Sequence, residues 1–213
     1  MSNNIASLLS NLRKTTESTT FSENTLGDNV EFISTGNYAL NRIISGSFFK
    51  GIPSDRLILI SGVSQGGKTL IASLIVASAF RENNYDMAFV FDSERGVSKE
   101  QFTKLGIPLN KIEYVVVRTV EDFATKVLAM YDFIREVQKE NPKFKCLAVL
   151  DSLGALCTRK AIKDMADDDL KLDRGLRARM LNDTSKLVTI PALETNCSLI
   201  VLNHIYDDPN ANP

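Results

Sequence analysis

Residues 62–69 read Gly62-Val63-Ser64-Gln65-Gly66-Gly67-Lys68-Thr69 and fit the pattern G-x-x-x-x-G-K-[ST], at the junction of a short apolar run and a long one. The chemistry that pattern serves is phosphate binding. Glycines let the backbone wrap until several N–H groups face one β-phosphate, and the start of the following helix adds partial positive charge. On this pattern Lys68 reaches the β- and γ-phosphate oxygens of ATP, and the Thr69 hydroxyl takes one position on Mg²⁺. A metal held that way needs a carboxylate as well. Residues 146–151, Cys146-Leu147-Ala148-Val149-Leu150-Asp151, deliver one at the end of a hydrophobic run. Asp151 is therefore expected to hold the ion directly or through water.

Two further segments carry groups suited to the same reaction. Asp92 and Glu94 stand two residues apart after another apolar run, and one of them is suited to orient a water for in-line attack on a γ-phosphate. Glu94 is the favoured base, with Asp92 closer to the strand and better placed to support the loop; the sequence leaves both open. His204, the only histidine of the chain, follows Asn203 at the end of the last apolar run. Its ring is suited to hydrogen-bond the γ-phosphate and to report its presence to the loop behind it.

These groups act together only if the fold brings them to one rim. Residues 56–61, 88–92, 114–118, 146–151 and 198–203 are short apolar runs of the kind found in strands buried on both faces. Helical patterns separate them: an almost wholly apolar segment over 68–80, a short one over 98–105, and another from about 174 to 189. A long helix is marked by Phe123, Val127, Met130, Tyr131, Ile134 and Val137 at intervals of three to four. The alternation predicts an α/β fold with a mainly parallel central sheet flanked by helices. Ligands of such sheets bind outside the C-terminal ends of the strands, so Gly62 and Asp151 belong to the same rim.

Composition narrows the function classes. A chain of 213 residues holds one large domain, or a core with a small appendage, and not a multi-domain machine. Its residues are 44% hydrophobic and 24% charged, which fits a globular core. Lys and Arg number 25 against 26 Asp and Glu, a formal net charge of -1, so any DNA binding has to be local. Cys146, Cys157 and Cys197 lack close ligand spacing and read as buried thiols of a reducing compartment. One histidine leaves no material for a zinc cluster. No run approaches the roughly 18 apolar residues of a membrane helix, and the first residues lack the apolar stretch of a signal peptide, so a cytoplasmic location is expected.

Ahead of the core, Ile5, Leu8, Leu9 and Leu12 fall at helical spacing, and a linker rich in Ser, Thr, Asn and Glu follows. Residues 1–29 are thus expected to form a helical arm and linker, and 30–213 the core. Phe32, Ile33, Leu40, Ile43 and Ile44 are expected to pack where the core begins, with Gly51, Ile52 and Pro53 turning the chain into its first long strand.

In this order and at these intervals, GVSQGGKT, FVFDSERG, CLAVLDSLGAL and SLIVLNHIYD resemble the core of the RecA family of ATP-dependent strand-exchange recombinases. The phage T4-type members are the nearest likeness, and FISTGNYALNRIISG resembles the segment that leads into the core. The resemblance implies a RecA-like P-loop ATPase core that binds ATP and Mg²⁺. It gives Lys68, Thr69 and Asp151 the nucleotide and metal roles, Glu94 the activation of water, and His204 the coupling of γ-phosphate to a second DNA-binding loop. It also places the strand of His204 between those of Gly62 and Asp151, with the strand of Glu94 beyond Asp151. The implied partners are single-stranded DNA, a homo-oligomeric filament to which the N-terminal helix contributes, and a recombination mediator or single-strand-binding protein. The implied setting is the cytoplasm of a phage-infected bacterium.

Two departures from the family matter. Gln101 lies where relatives commonly place an aromatic that stacks on adenine. The chain also ends at Pro213, where the family continues through the second DNA-binding loop, so the core is expected to be C-terminally incomplete and poor in strand exchange and turnover. The first DNA-binding loop falls by resemblance over 159–171, and Lys160, Lys163, Lys171, Arg174 and Arg177 are the candidate phosphate contacts there. Asp167, Asp168 and Asp169 oppose them. A competing reading is a non-catalytic accessory or regulatory paralogue that binds nucleotide or a recombinase partner. A ring-forming helicase of the same ATPase superclass would need a hexameric interface that the sequence does not display.

Overall fold

The computed structural model describes residues 2–16, 18, 20, 30–166 and 174–205. The chain divides into two compact units, Met1–Val30 and Glu31–Pro213. The first contains helix α1 (Ser2–Thr16), whose Arg13 and Lys14 sit in the last turn, where positive charge complements the helix dipole. Ile5, Leu8, Leu9 and Leu12 are all exposed on it.

The second unit opens with strand β1 (Phe32–Ile33), helix α2 (Tyr38–Ser45) and strand β2 (Ile52–Pro53). β1 and β2 pair antiparallel. The side chain of Asn37 caps α2 by accepting from the Leu40 N–H, and Gly46 closes it in the left-handed region at φ 77. The expected apolar packing here is only partly realised. Ile33 is buried, but Ile43 is 80% exposed and Ile44 is exposed as well. A buried polar residue anchors the segment instead: Asn41 accepts from the backbone N–H and the hydroxyl of Thr35 and donates to Ser34 Oγ and to the Phe48 carbonyl.

The remaining elements are β3 (Leu57–Gly62), α3 (Lys68–Asn83), β4 (Met87–Asp92), α4 (Lys99–Lys104), β5 (Ile112–Val116), α5 (Val120–Glu140), β6 (Cys146–Asp151), α6 (Arg159–Ala166), α7 (Arg174–Glu194) and β7 (Leu199–His204). The five long strands form one parallel sheet in the order β3-β7-β6-β4-β5. This is the α/β architecture expected from the alternation, and it matches a RecA-like P-loop ATPase core. The strand ending in His204 lies between those ending in Gly62 and Asp151.

Side chains along β6 alternate between two cores. Cys146, Ala148 and Leu150 meet Phe123, Val127, Met130, Tyr131 and Ile134 of α5 and Val188 and Ala192 of α7 on one face. Leu147 and Val149 meet Ile75, Val76 and Ala79 of α3 and Phe102 of α4 on the other. Fully burying an aliphatic or aromatic side chain contributes about 1.5–3 kcal/mol, so the central strands are the most firmly held. The edges differ from the expectation that all five strands are buried on both faces. Leu59 on β3 is 59% exposed and Tyr114 on β5 is 49% exposed, because an outermost strand receives helix cover over only part of its surface.

Two boundaries also moved. The strand expected over 114–118 spans Ile112–Val116, because Val117 and Arg118 lead into the Thr119 cap of α5. The last helix continues to Glu194 with Pro191 inside it. Pro191 removes one backbone donor, but Val188 and Ala192, four residues apart and buried, hold the helix across the gap. Of the three free cysteines, Cys157 is only partly buried, unlike Cys146 and Cys197. Among the described residues no helix is long and apolar enough to cross a membrane.

Candidate functional site

Strand register fixes the rim. Gly62 pairs with His204, Asp151 pairs with Asp92, and Leu150 pairs with Val201, so the groups singled out in the sequence leave the sheet at neighbouring strand ends. Past Gly62 the chain turns through Gln65 at φ 59 and Gly67 at φ 82, and α3 starts at Lys68. A Cβ on Gly66 would stand 3.0 Å from the Val63 carbonyl oxygen, while one on Gly67 would meet nothing. Gly67 is needed for its left-handed backbone and Gly66 for its close approach.

Lys68 curls back over this turn. Its Nζ donates to the carbonyls of Gly62 at 3.0 Å and Val63 at 2.8 Å, and it lies 3.3 Å from His204 Nδ1. His204 Nε2 in turn lies 3.1 Å from Glu94 Oε1. A neutral imidazole protonated on Nε2 satisfies both contacts, accepting from Lys68 and donating to Glu94. Ser152 donates its hydroxyl to the same Glu94 oxygen at 2.5 Å. These bonds, that from Ser152 first, hold the Glu94 carboxyl below the usual glutamate range.

The metal-ligand candidates touch each other. Thr69 Oγ1 donates to Asp151 Oδ2 at 2.7 Å. Burial pushes the Asp151 carboxyl up, the Thr69 bond opposes that, and the negative charges of Glu94 and Asp92 add to it. A hydroxyl and one carboxylate are hard oxygen ligands of the kind Mg²⁺ takes when substrate phosphates and water complete its shell. Among the described residues no group of three or more His, Cys, Asp or Glu side chains is arranged to hold a metal ion.

Asp92 and Glu94 separate clearly. Asp92 is fully buried. Its Oδ1 accepts from the backbone N–H groups of Glu94 at 3.0 Å, Arg95 at 2.6 Å and Gly96 at 3.4 Å, and its Oδ2 accepts from the Val97 N–H at 3.2 Å. It is the post around which the Glu94 loop is wound. The Glu94 side chain keeps 41% of its surface exposed, so of the two acids it is the one a solvent molecule can reach. Ser93 ties the loop to the next strand, its hydroxyl donating to the Ser152 carbonyl at 2.7 Å and accepting from the Ser152 N–H at 2.8 Å. Sequence reasoning missed Ser93 and Ser152, whose only signal is a hydroxyl beside an acid at a strand end.

Gln101 donates from Nε2 to Ser73 Oγ of α3 at 3.4 Å. Among the candidate DNA contacts, Lys160 and Lys163 are exposed on α6. Arg177 directs its guanidinium to the carbonyls of Leu153, Gly154 and Leu156. It thereby braces the short 3-10 turn Leu153–Ala155 that follows Asp151. A Cβ on Gly154 of that turn would stand 3.3 Å from the His204 ring. Lys171 and Asp167, Asp168 and Asp169 lie outside the described residues, as does the side chain of Arg174.

The family model of the RecA N-terminal domain matches residues 8–208. The recombination and repair protein of Enterobacteria phage T4 is 24% identical over 168 residues, which are 79% of this chain and 41% of that protein. Protein RecA of Delftia acidovorans is 27% identical over 176 residues, 83% of this chain and 43% of its own length. Protein RecA of Colwellia psychrerythraea is 29% identical over 185 residues, 84% of this chain and 48% of its own length. The chain thus spans less than half the length of these curated relatives. The bacterial proteins show the higher identities, so the likeness is to the family as a whole and not to its phage T4 member in particular.

Proposed function

From the premise that the chain belongs to the RecA N-terminal domain family, we propose that it carries the nucleotide-binding core of an ATP-dependent recombination protein. In that role the protein binds ATP with Mg²⁺ at the rim of β3, β7, β6 and β4, and it assembles as a filament on single-stranded DNA. The observation that carries the reading is the contact chain Lys68, His204, Glu94 and Ser152 beside the Thr69–Asp151 pair, all at neighbouring strand ends.

Turn 62–69 supplies backbone N–H groups to the β-phosphate, and Lys68 leaves the Gly62 and Val63 carbonyls to reach the β- and γ-phosphate oxygens. Thr69 and Asp151 hold Mg²⁺, which when bound neutralises charge on the phosphates. Ser152 and His204 both occupy Oε1 of Glu94, and Oε2 is the oxygen we assign to orienting the attacking water. The lowered pKa keeps Glu94 ionised near neutral pH, where it orients the water by accepting a hydrogen bond from it. When Lys68 turns to phosphate, His204 loses its Lys68 neighbour. The ring, still bonded to Glu94 through Nε2, then meets the γ-phosphate through Nδ1 and passes its presence to the chain after residue 204.

The test measures ATP binding and hydrolysis with and without single-stranded DNA for the wild type, Lys68→Ala and Glu94→Gln. Lys68→Ala is expected to lose binding. Glu94→Gln is expected to bind as the wild type does and to lose turnover. Hydrolysis by a pure sample that survives Lys68→Ala would sink the reading.

A further inference from the structure

The loop that carries Glu94 is held from a second strand. Tyr114 lies on β5 opposite Val90, diagonal to Asp92 on the same face of the sheet. Its hydroxyl donates to Asp92 Oδ2 at 2.9 Å. Asp92 is fully buried, and the described partners of its carboxylate are four backbone N–H groups and this phenol. The phenol is therefore the second and shorter bond to Oδ2, beside the Val97 N–H, and removing a hydrogen bond to a buried charged group is costly.

The loop depends on that carboxylate. Arg95 sits at φ 58, a left-handed conformation that a non-glycine residue keeps only when its surroundings enforce it. The enforcing contact is its own N–H to Asp92 Oδ1, and the Glu94, Gly96 and Val97 amides converge on the same group. Any reorientation of the Asp92 carboxylate shifts all four amides, and with them the Cα of Glu94. Burial and the Asp92 bond both raise the pKa of the phenol, which keeps it a donor.

We propose that Tyr114 is a positioning residue of the nucleotide site: through Asp92 Oδ2 it fixes the loop 93–97 and so the placement of Glu94 at the rim. The inference rests on the function proposed for Glu94 in its catalytic part, and on geometry alone in its structural part. It concerns a residue on the edge strand, distant in sequence from every motif of the site.

The experiment compares the whole chain with Tyr114→Phe, which keeps the ring, and with Glu113→Gln, an exposed neighbour on β5, as control. Tyr114 is half exposed and its ring forms one wall of an open pocket with Val97, Phe102 and Leu109, so the variant is expected to fold. Amide hydrogen exchange read by NMR is expected to speed up about tenfold at Arg95 and Val97 in Tyr114→Phe and to stay unchanged in Glu113→Gln. Turnover of ATP is expected to fall about tenfold in kcat with KM unchanged.

Unchanged exchange at residues 94–97 overturns the proposal, whatever the activity. Faster exchange with unchanged kcat in an active protein overturns the positioning role. If the wild-type chain binds ATP without hydrolysing it, the exchange data alone decide whether Tyr114 fixes the loop.

Discussion

Replacing Thr69 by Val separates the structural use of one hydroxyl from the metal-binding use proposed for it. The two side chains have nearly the same shape, so the change deletes the donor to Asp151 Oδ2, at 2.7 Å, and little else. A hydrogen bond to a charged group contributes about 1.5–3 kcal/mol. Asp151 is 9% exposed, which leaves water some access to the orphaned oxygen, so the lower end applies, about 1.5 kcal/mol. For a chain of this size that lowers Tm by about 3–6 °C without ligand. If the same hydroxyl also ligates Mg²⁺, a second loss appears only with the metal. Affinity for ATP in excess Mg²⁺ is expected to fall about ten- to a hundredfold, equivalent to about 1.5–3 kcal/mol, whereas affinity in chelator is expected to change less than threefold. Differential scanning fluorimetry gives the first quantity, and titration calorimetry with and without metal gives the second. A variant that shows the full Tm decrease and an unaltered dependence on Mg²⁺ would refute the metal role of Thr69.

Further expectations follow from the same geometry. Glu94 has its carboxyl lowered, so its stabilising contribution is complete above the ordinary glutamate range and is lost as pH falls through the lowered value. Asp151 has its carboxyl raised by burial, so it imposes a penalty that grows as pH rises through the ordinary aspartate range and is complete above the raised value. Urea unfolding from about pH 3 to pH 7 should therefore show the stability lost in Glu94→Gln shrinking towards acid and the advantage of Asp151→Asn growing towards neutrality; parallel curves for the two variants would contradict the assignment. Gly51→Ala places a Cβ 2.4 Å from the Ile33 carbonyl oxygen and 2.7 Å from Asn41 Oδ1, and it should destabilise the chain by about 1–3 kcal/mol in the same assay. Gly154→Ala brings a methyl to 3.3 Å from the His204 ring, and the His204 imidazole resonances should move while those of Tyr131 on α5 stay in place.

The parts of the site that lie contiguous in the chain were the legible ones. Turn 62–69 needs its residue types in an unbroken row, and Asp92, Asp151 and His204 each close an apolar run, so type and spacing sufficed. Which strand lies beside which left no trace in periodicity, and the sheet order came from the family likeness alone. Exposure of Leu59 and Tyr114 depends on their strands being outermost, a property of the whole sheet that a local pattern of apolar residues cannot encode. Asn41 was illegible for another reason: a polar residue within YALNRIIS reads as a surface position, yet its amide is what ties β1, α2 and the turn after them together. Ser152 and Tyr114 meet their partners across 58 and 22 residues of sequence, and their importance exists only once β4 stands between β5 and β6.

That placement also explains how three acids share so small a space. Asp92, Glu94 and Asp151 influence one another electrostatically, and the raised carboxyl of Asp151 registers part of that repulsion. Each acid is handled differently. Asp92 spends its charge on backbone amides and a phenol, Glu94 shares its charge with a hydroxyl and an imidazole, and Asp151 has the Thr69 hydroxyl against the desolvation it suffers. Asp151 is thus the acid whose charge is least compensated in the free protein. On the proposed metal role, a divalent cation arriving beside Thr69 would relieve that deficit directly, so metal binding and folding stability should be linked through this one carboxylate. Because the deficit is set by burial on β6 and by the two neighbouring acids, removing either neighbour lowers the electrostatic gain from the cation. Glu94→Gln should accordingly bind Mg²⁺ with nucleotide no more tightly than the wild type; a variant that binds the metal more tightly would show that repulsion among the three acids does not drive cation capture.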